Sequence, residues 1–382
     1  MRIAIILLNK GRGSGEVARQ HTRFLLQQGH QVYFMHPEIG DGVQGAHNID
    51  IKLHSDIMPV HEYLPSAGEE QKQVASMDFD EMMAYLPDYE KALSNIIDDV
   101  DIVIGHHANI TAIATYRIAS ENYKPYVLFL HGTGIEPRHL GKWDDRSWDL
   151  IKKAVEDAKG IIVTTEYVRD ELVKPIINIP DYKFLILPCG VDLDEFKTDS
   201  TSDIREKYGL PDNYVICPGA LTVSKGPQNV VEASKEYYEY ASTVFIGDGE
   251  LKEELEERLG DRGMFFGYVS SEDKAKLIND ATLLVAAPEK KEHFGIIYAE
   301  ALAAGTPVVA YEGGGVGSIV TPTEGILTER NPKILGQKIN YLLQNSGLRK
   351  QMSVSCRARV ESHYSYPELV KTLSDWLTGF IE

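Results

Sequence analysis

A chain of 382 residues is longer than one hydrophobic core usually serves, so two domains are expected. Apolar residues at 43% and charged residues at 25% are globular proportions and exclude a disordered or fibrous chain. The net charge of −18, from 39 basic and 57 acidic residues, argues against a nucleic-acid partner and against tight docking on anionic lipid. The three cysteines, Cys189, Cys217 and Cys356, are odd in number and far apart. They form no disulfide framework or zinc pattern, and they predict a reducing, cytoplasmic setting.

The chain opens with the apolar run Arg2–Asn9. It is too short to span a membrane, has no small-residue cleavage site behind it, and reads as a buried first strand. Gly11-Arg12-Gly13-Ser14-Gly15-Glu16 follows and opens a helix, where glycine lets the backbone come close to a phosphate or sugar. Glu16 stands where a dinucleotide fingerprint has its third glycine, so a nicotinamide-dependent dehydrogenase is not expected. Val17, Ala18, His21, Phe24, Leu25 and Gln28 fall on one helical face, and Gly29 stops that helix.

Further strand-like runs lie at Gln31–His36, Asp101–His106, Tyr126–His131, Gly160–Thr165 and Lys183–Pro188. A second series lies at Tyr214–Pro218, Thr243–Gly247, Met264–Val269, Thr282–Ala287 and Pro307–Tyr311. Helical patterns fill the gaps. Strands alternating with helices predict βαβ units and parallel sheets, and two series predict two doubly wound domains. Ligands of such sheets bind at the carboxyl ends of the strands, so His131, at the end of its run, is a candidate ligand contact. His106 and His107 also end a run, but paired histidines are expected to settle into local hydrogen bonds. The segment Asp192–Ser202 is polar, without apolar period, and reads as a linker.

Glu292-His293-Phe294-Gly295-Ile296-Ile297-Tyr298-Ala299-Glu300 sets two carboxylates around a predicted helix start. Glu292 is expected in the loop, and Glu300 about two turns into the helix. Helix N-termini attract phosphates, and flanking carboxylates suit a ligand with hydroxyls at both ends and phosphates in the middle.

This stretch resembles the E-x7-E signature of retaining family 4 glycosyltransferases of the GT-B type, including its E-x-F-G opening and its E-A-x-A-x-G-T-P-V-V tail. Leu187–Phe196 is similar to the family's P-N-G-V-D-x-x-x-F segment, with Cys189 in place of asparagine. Pro218–Gly226 is similar to G-R-L-x-x-x-K-G, with Lys225 in register and Ala220 where the arginine belongs. Ile246–Leu251, Phe266–Val269 and Gly313–Val316 match further family turns in order.

The resemblance implies a GT-B fold: two Rossmann-like doubly wound α/β domains facing a cleft, spanning about 1–195 and 196–364. A last helix, about 365–382, would cross back to the first domain, with Leu369, Leu373, Trp376 and Leu377 on one face. A membrane-surface helix is the rival reading of that segment, though it lacks a basic polar face. The implied reaction moves a hexosyl group from a nucleoside-diphosphate sugar, a UDP-sugar ahead of GDP-mannose, to an acceptor hydroxyl with retention. Glu292 would hold a sugar hydroxyl, Glu300 the ribose, and Lys225 the leaving diphosphate, with His131 reaching the sugar. Gly13, Gly15, Gly219, Gly267, Tyr268, Phe294, Gly295 and Ile296 would border the donor.

Arg12, Arg138 and Trp143 are candidates for acceptor or phosphate contacts, and Arg12, Arg138 and Lys142 for replacing the missing arginine. The segment 55–88 and the loop 133–147 would line the acceptor site, whose mixed charge suits a polar small molecule or saccharide better than a lipid-linked acceptor. No metal or cofactor is expected, so Asp192-x-Asp194 is read as a structural turn. The alternatives are a nucleotide-sugar-binding regulatory subunit, motivated by Ala220, and a nucleotide-sugar epimerase or hydrolase.

Overall fold

The computed structural model describes residues 1–11, 13–40, 42–62, 70–197 and 203–381. The chain divides into two compact units, Met1–Cys189 with Tyr366–Glu382, and Gly190–Ser365. The division falls a few residues before the expected 195, because Val191 already bonds into the second unit. The Val191 N–H donates to Tyr364 O, and Arg357 Nη1 donates to Phe196 O.

In the first unit, β1 (Arg2–Ile6), β2 (Gln31–His36), β3 (His47–Asp50), β6 (Ile102–His106), β7 (Tyr126–Leu130), β8 (Gly160–Val163) and β9 (Phe184–Ile186) form one parallel sheet. Its order is β3-β2-β1-β6-β7-β8-β9. A small separate pair joins β4 (Met58–Val60) to β5 (Gln71–Gln73). The central strands are apolar on both faces, as strands covered by helices on each side must be. β3 and β5 were not legible, because His47-Asn48-Ile49-Asp50 and Gln71-Lys72-Gln73 carry no apolar run.

The second unit repeats the plan. β10 (Tyr214–Pro218), β11 (Ser242–Ile246), β12 (Gly263–Phe265), β13 (Leu283–Ala286), β14 (Val308–Tyr311) and β15 (Gly325–Thr328) are parallel in the order β12-β11-β10-β13-β14-β15. Each sheet reverses its strand sequence once, between β1 and β6 and between β10 and β13. Loops leaving either side of such a reversal border a crevice at the strands' carboxyl ends.

The last helix, Tyr366–Thr378, belongs to the first unit. Leu369, Leu373 and Leu377 are buried there, His30 Nε2 bonds Ser374 Oγ at 2.7 Å, and Tyr366 stacks on Phe24 at 5.6 Å. Its apolar face is thus covered by protein, against the membrane-surface reading. A side chain at Gly160 would strike Trp376, which lies 2.3 Å from the position of a Cβ there. Among the described residues no helix is long and apolar enough to cross a membrane.

His21, in the helix Gly13–Gln27, is buried against Phe129 and Tyr366. Burial pushes it down to about 4, and His106 to about 3. Both stay neutral in the fold and take up protons on unfolding at acid pH. Their contribution is whole above the ordinary histidine value of about 6.5 and is lost as pH falls through it. Thermal melts followed by circular dichroism are therefore expected to shift downward between about pH 7 and about pH 5, and less steeply in His21→Phe. Parallel declines in the two proteins would overturn this account.

Candidate active site

In the second unit the loop after β10 carries Gly219 to Gly226 and turns through the short 3-10 segment Val223–Lys225. Gly226 sits at φ +71, and a Cβ there would lie 1.8 Å from Ala287 O. Only glycine allows this contact between the loop and the end of β13. Asn229 Nδ2 donates to Ala287 O at 3.0 Å and to Glu289 Oε1 at 2.7 Å. The Glu289 N–H donates to Ser224 O at 3.1 Å.

Sewn together this way, the loops bring Lys225 Nζ to 2.8 Å from Glu292 Oε1. The two side chains are 49% and 25% exposed, so water screens the pair and its net worth is about 0–1 kcal/mol. Glu292 itself is held by its backbone. The Gly315 N–H donates to Glu292 O at 2.7 Å, and Gly314, at φ +67, leaves room for that carbonyl.

Gly295, at φ +92, caps the helix Ile296–Ala303. Glu300 is the fifth residue of this helix, just over one turn in, rather than the expected two turns, because the helix begins only after Gly295. It is 7% exposed, and Lys274 Nζ donates to its Oε1 at 2.5 Å. Its Oε2 is buried without a hydrogen-bond partner among the described residues. Phe294 is buried edge-on to Tyr364, so only its backbone is left to meet a ligand.

Gly219, Gly247 and Gly267 converge: the Gly247 N–H donates to Gly267 O at 2.7 Å, and a Cβ on Gly247 would lie 2.0 Å from Gly219 O. Tyr268, next along, is 72% exposed.

In the first unit the loops after β1, β6 and β7 meet. His107 adopts φ +68, unusual outside glycine, and its ring lies between Ser14 Oγ at 3.0 Å and Thr133 Oγ1 at 3.1 Å. His131 is 7% exposed, stacks on Phe129 at 4.0 Å, and meets His106 Nδ1 through Nε2 at 3.0 Å. His106 and His107 thus settle into local hydrogen bonds, and His131 shares their network.

Gly13 is the exposed first residue of its helix. Gly15 is packed closely in the same loop, and a Cβ there would lie 2.0 Å from Lys10 O. Trp143 is 4% exposed, and its indole N–H donates to Gly134 O at 3.1 Å. Arg138 is tied to Asp145 at 2.7 Å and lies over the Trp148 ring. Lys142 is exposed on the loop between them. Arg12, and residues 63–69 of the expected acceptor segment, lie outside the described residues.

Asp192 Oδ1 accepts from the N–H groups of Asp194 and Glu195, which makes it a turn cap. Burial pushes the Cys189 thiol up to about 12, away from thiolate chemistry. Sequence reasoning passed over Lys274 and Asn229. Lys274 lies in the charged run Glu272-Asp273-Lys274, which reads as a solvated face.

Residues 200–359 match the family model described as glycosyl transferases group 1, and residues 11–195 match glycosyltransferase family 4. An uncharacterised glycosyltransferase of Methanocaldococcus jannaschii is 28% identical over 265 residues, 65% of this chain and 67% of the relative. The alpha-D-kanosaminyltransferase of Streptomyces kanamyceticus is 27% identical over 262 residues, 63% of this chain and 67% of that one. Sucrose-phosphate synthase from Thermosynechococcus elongatus shares the fold at a TM-score of 0.79 and 18% identity, covering 99% of this chain and 98% of that one. Anabaena HepE in complex with UDP does so at 0.76 and 16%, covering 99% of each chain. With one family model on each unit and the strand plan in agreement, the chain belongs to the family 4 glycosyltransferases of the GT-B fold.

Proposed function

We propose that this glycosyltransferase moves a hexosyl group from a nucleoside-diphosphate sugar, with UDP as the favoured nucleotide, to an acceptor hydroxyl with retention at the anomeric carbon. The observation that carries this reading is the pairing of Lys225 with Glu292 at 2.8 Å, beside the glycine-capped start of the helix Ile296–Ala303. A departing nucleoside diphosphate gathers negative charge, and a fixed cation with a helix N-terminus stabilises it. Glu292 then accepts from a sugar hydroxyl, and Glu300 from the ribose. Departure of the diphosphate ahead of acceptor attack gives an oxocarbenium-like centre, so this route assigns no carboxylate as nucleophile, unlike a retaining glycosidase.

The UDP preference is supported by HepE, which was solved with UDP-glucose. The Ser14 and Thr133 hydroxyls and the His107 imidazole support a polar acceptor, a small molecule or a saccharide. A second reading, a nucleotide-sugar binder without turnover, is favoured by one observation: Ala220 offers no charge where the family segment it resembles has arginine.

A thermal-shift series with UDP, GDP, ADP and TDP is expected to show the largest rise with UDP. No rise with any of them would remove the donor site and with it this function. Lys225→Ala is expected to lower turnover at least about tenfold. Glu292→Gln should lower turnover by a similar factor yet tighten UDP binding, because it releases Lys225 from its internal partner. Steady-state kinetics and titration calorimetry measure both, and near-normal turnover in the two variants would sink the assignment.

Ala220→Arg is expected to tighten UDP binding by roughly tenfold, the scale of one charge-assisted contact. If wild type and this variant both bind UDP and neither transfers sugar to any acceptor, the binder reading prevails.

A further inference from the structure

Among the described residues Glu300 is one of the few acidic side chains buried in the second unit, and its two oxygens differ. Oε1 takes the Lys274 ammonium at 2.5 Å. Oε2 is shut away from water and has no partner among the described residues. A buried acceptor without a donor is unfavourable, and a ligand hydroxyl would relieve it.

Lys274 is itself held in place. Its ammonium lies 5.5 Å from the centre of the Phe196 ring, and its side chain is 30% exposed. Phe196 is fastened by Arg357, whose Nη1 donates to Phe196 O at 2.8 Å and to Ala303 O at 3.0 Å. The helix that carries Lys274, Ser271–Asp280, is tied to the far end of the Glu300 helix. Asn279 Nδ2 donates to Ala304 O at 2.9 Å, and Thr306 Oγ1 donates to Ile278 O at 2.7 Å. These bonds hold in register the two helices that carry Lys274 and Glu300.

We propose that Lys274 is a positioning residue for nucleotide recognition. By holding Oε1 it aims Oε2 at a ribose hydroxyl of the nucleoside diphosphate, and so sets the preference for ribo- over deoxynucleotides. This rests on the assignment of Glu300 to the ribose. The pair is less exposed than Lys225 with Glu292, so its orientation survives in the presence of water. Removing the ammonium leaves a buried carboxylate without its counter-charge, free to turn or to take up a proton.

The test compares UDP, 2′-deoxyUDP and 3′-deoxyUDP by calorimetry on wild type, Lys274→Met and Lys274→Arg, with kcat and donor KM measured beside them. Wild type is expected to bind UDP about tenfold or more tighter than at least one deoxy form, the scale of a hydrogen bond to a charged group. Lys274→Met should reduce that ratio to about threefold or less and raise the donor KM, with kcat at saturating donor within about twofold of wild type. Lys274→Arg should restore the ratio. If Lys274→Met does not fold, Lys274→Gln carries the same comparison.

An unchanged ratio in the variant overturns the proposal. A wild type that binds UDP but ignores the ribose hydroxyls overturns it together with the Glu300 assignment, while leaving the donor site standing. A wild type that binds none of the three, nor GDP, removes the proposed function itself.

Discussion

The contact between Gly226 and the carbonyl of Ala287 decides the shape of the second unit's site. It joins the loop after β10 to the end of β13, across the point where the sheet reverses its strand order. Lys225 precedes that glycine, and Glu292 follows soon after that carbonyl. Their meeting is therefore a consequence of backbone closeness rather than of their own attraction, which is weak in water. Asn229 and Ser224 then lock the two loops with hydrogen bonds that involve no charged donor. A site built this way keeps its frame when the ion pair opens to admit an anion.

The two Lys–Glu pairs of this unit do different work because they differ in burial. Lys225 with Glu292 is half in water, so a diphosphate can compete for the ammonium at small cost. Lys274 with Glu300 lies deeper and is braced by Phe196 and Arg357, so it fixes direction rather than supplying exchangeable charge. The chain as a whole is strongly acidic, which repels anions at long range. The anionic donor proposed above would then depend on local features, among them the exposed Lys225 and the glycine-capped helix start at Gly295.

Much of this was legible beforehand where the local signal is strong. The strands at Gln31–His36 and Tyr214–Pro218 were read to the residue, since both are apolar runs bounded by turn residues. The polar strands β3 and β5 were not, because their pairing depends on neighbours and not on their own pattern. The placement of Glu300 was off by most of a turn, since nothing local marks Gly295 rather than Glu292 as the boundary. Trp143, a candidate acceptor contact on a polar loop, is buried and its indole N–H donates to Gly134 O.

The sequence by itself determined the alternation of strands and helices, the two-unit plan, and the order of glycine turns and charged residues along the chain. These follow from short-range physics: apolar period, glycine freedom and helix capping act over a few residues. Only the tertiary structure decided which charges meet. Lys225 and Glu292 are joined across 67 residues, Lys274 and Glu300 across 26, and Ser14 and His107 across 93. The first and third pairs are set by which strands lie side by side at the reversal of each sheet, and the second by the packing of the two helices that flank β13; no local pattern encodes either adjacency.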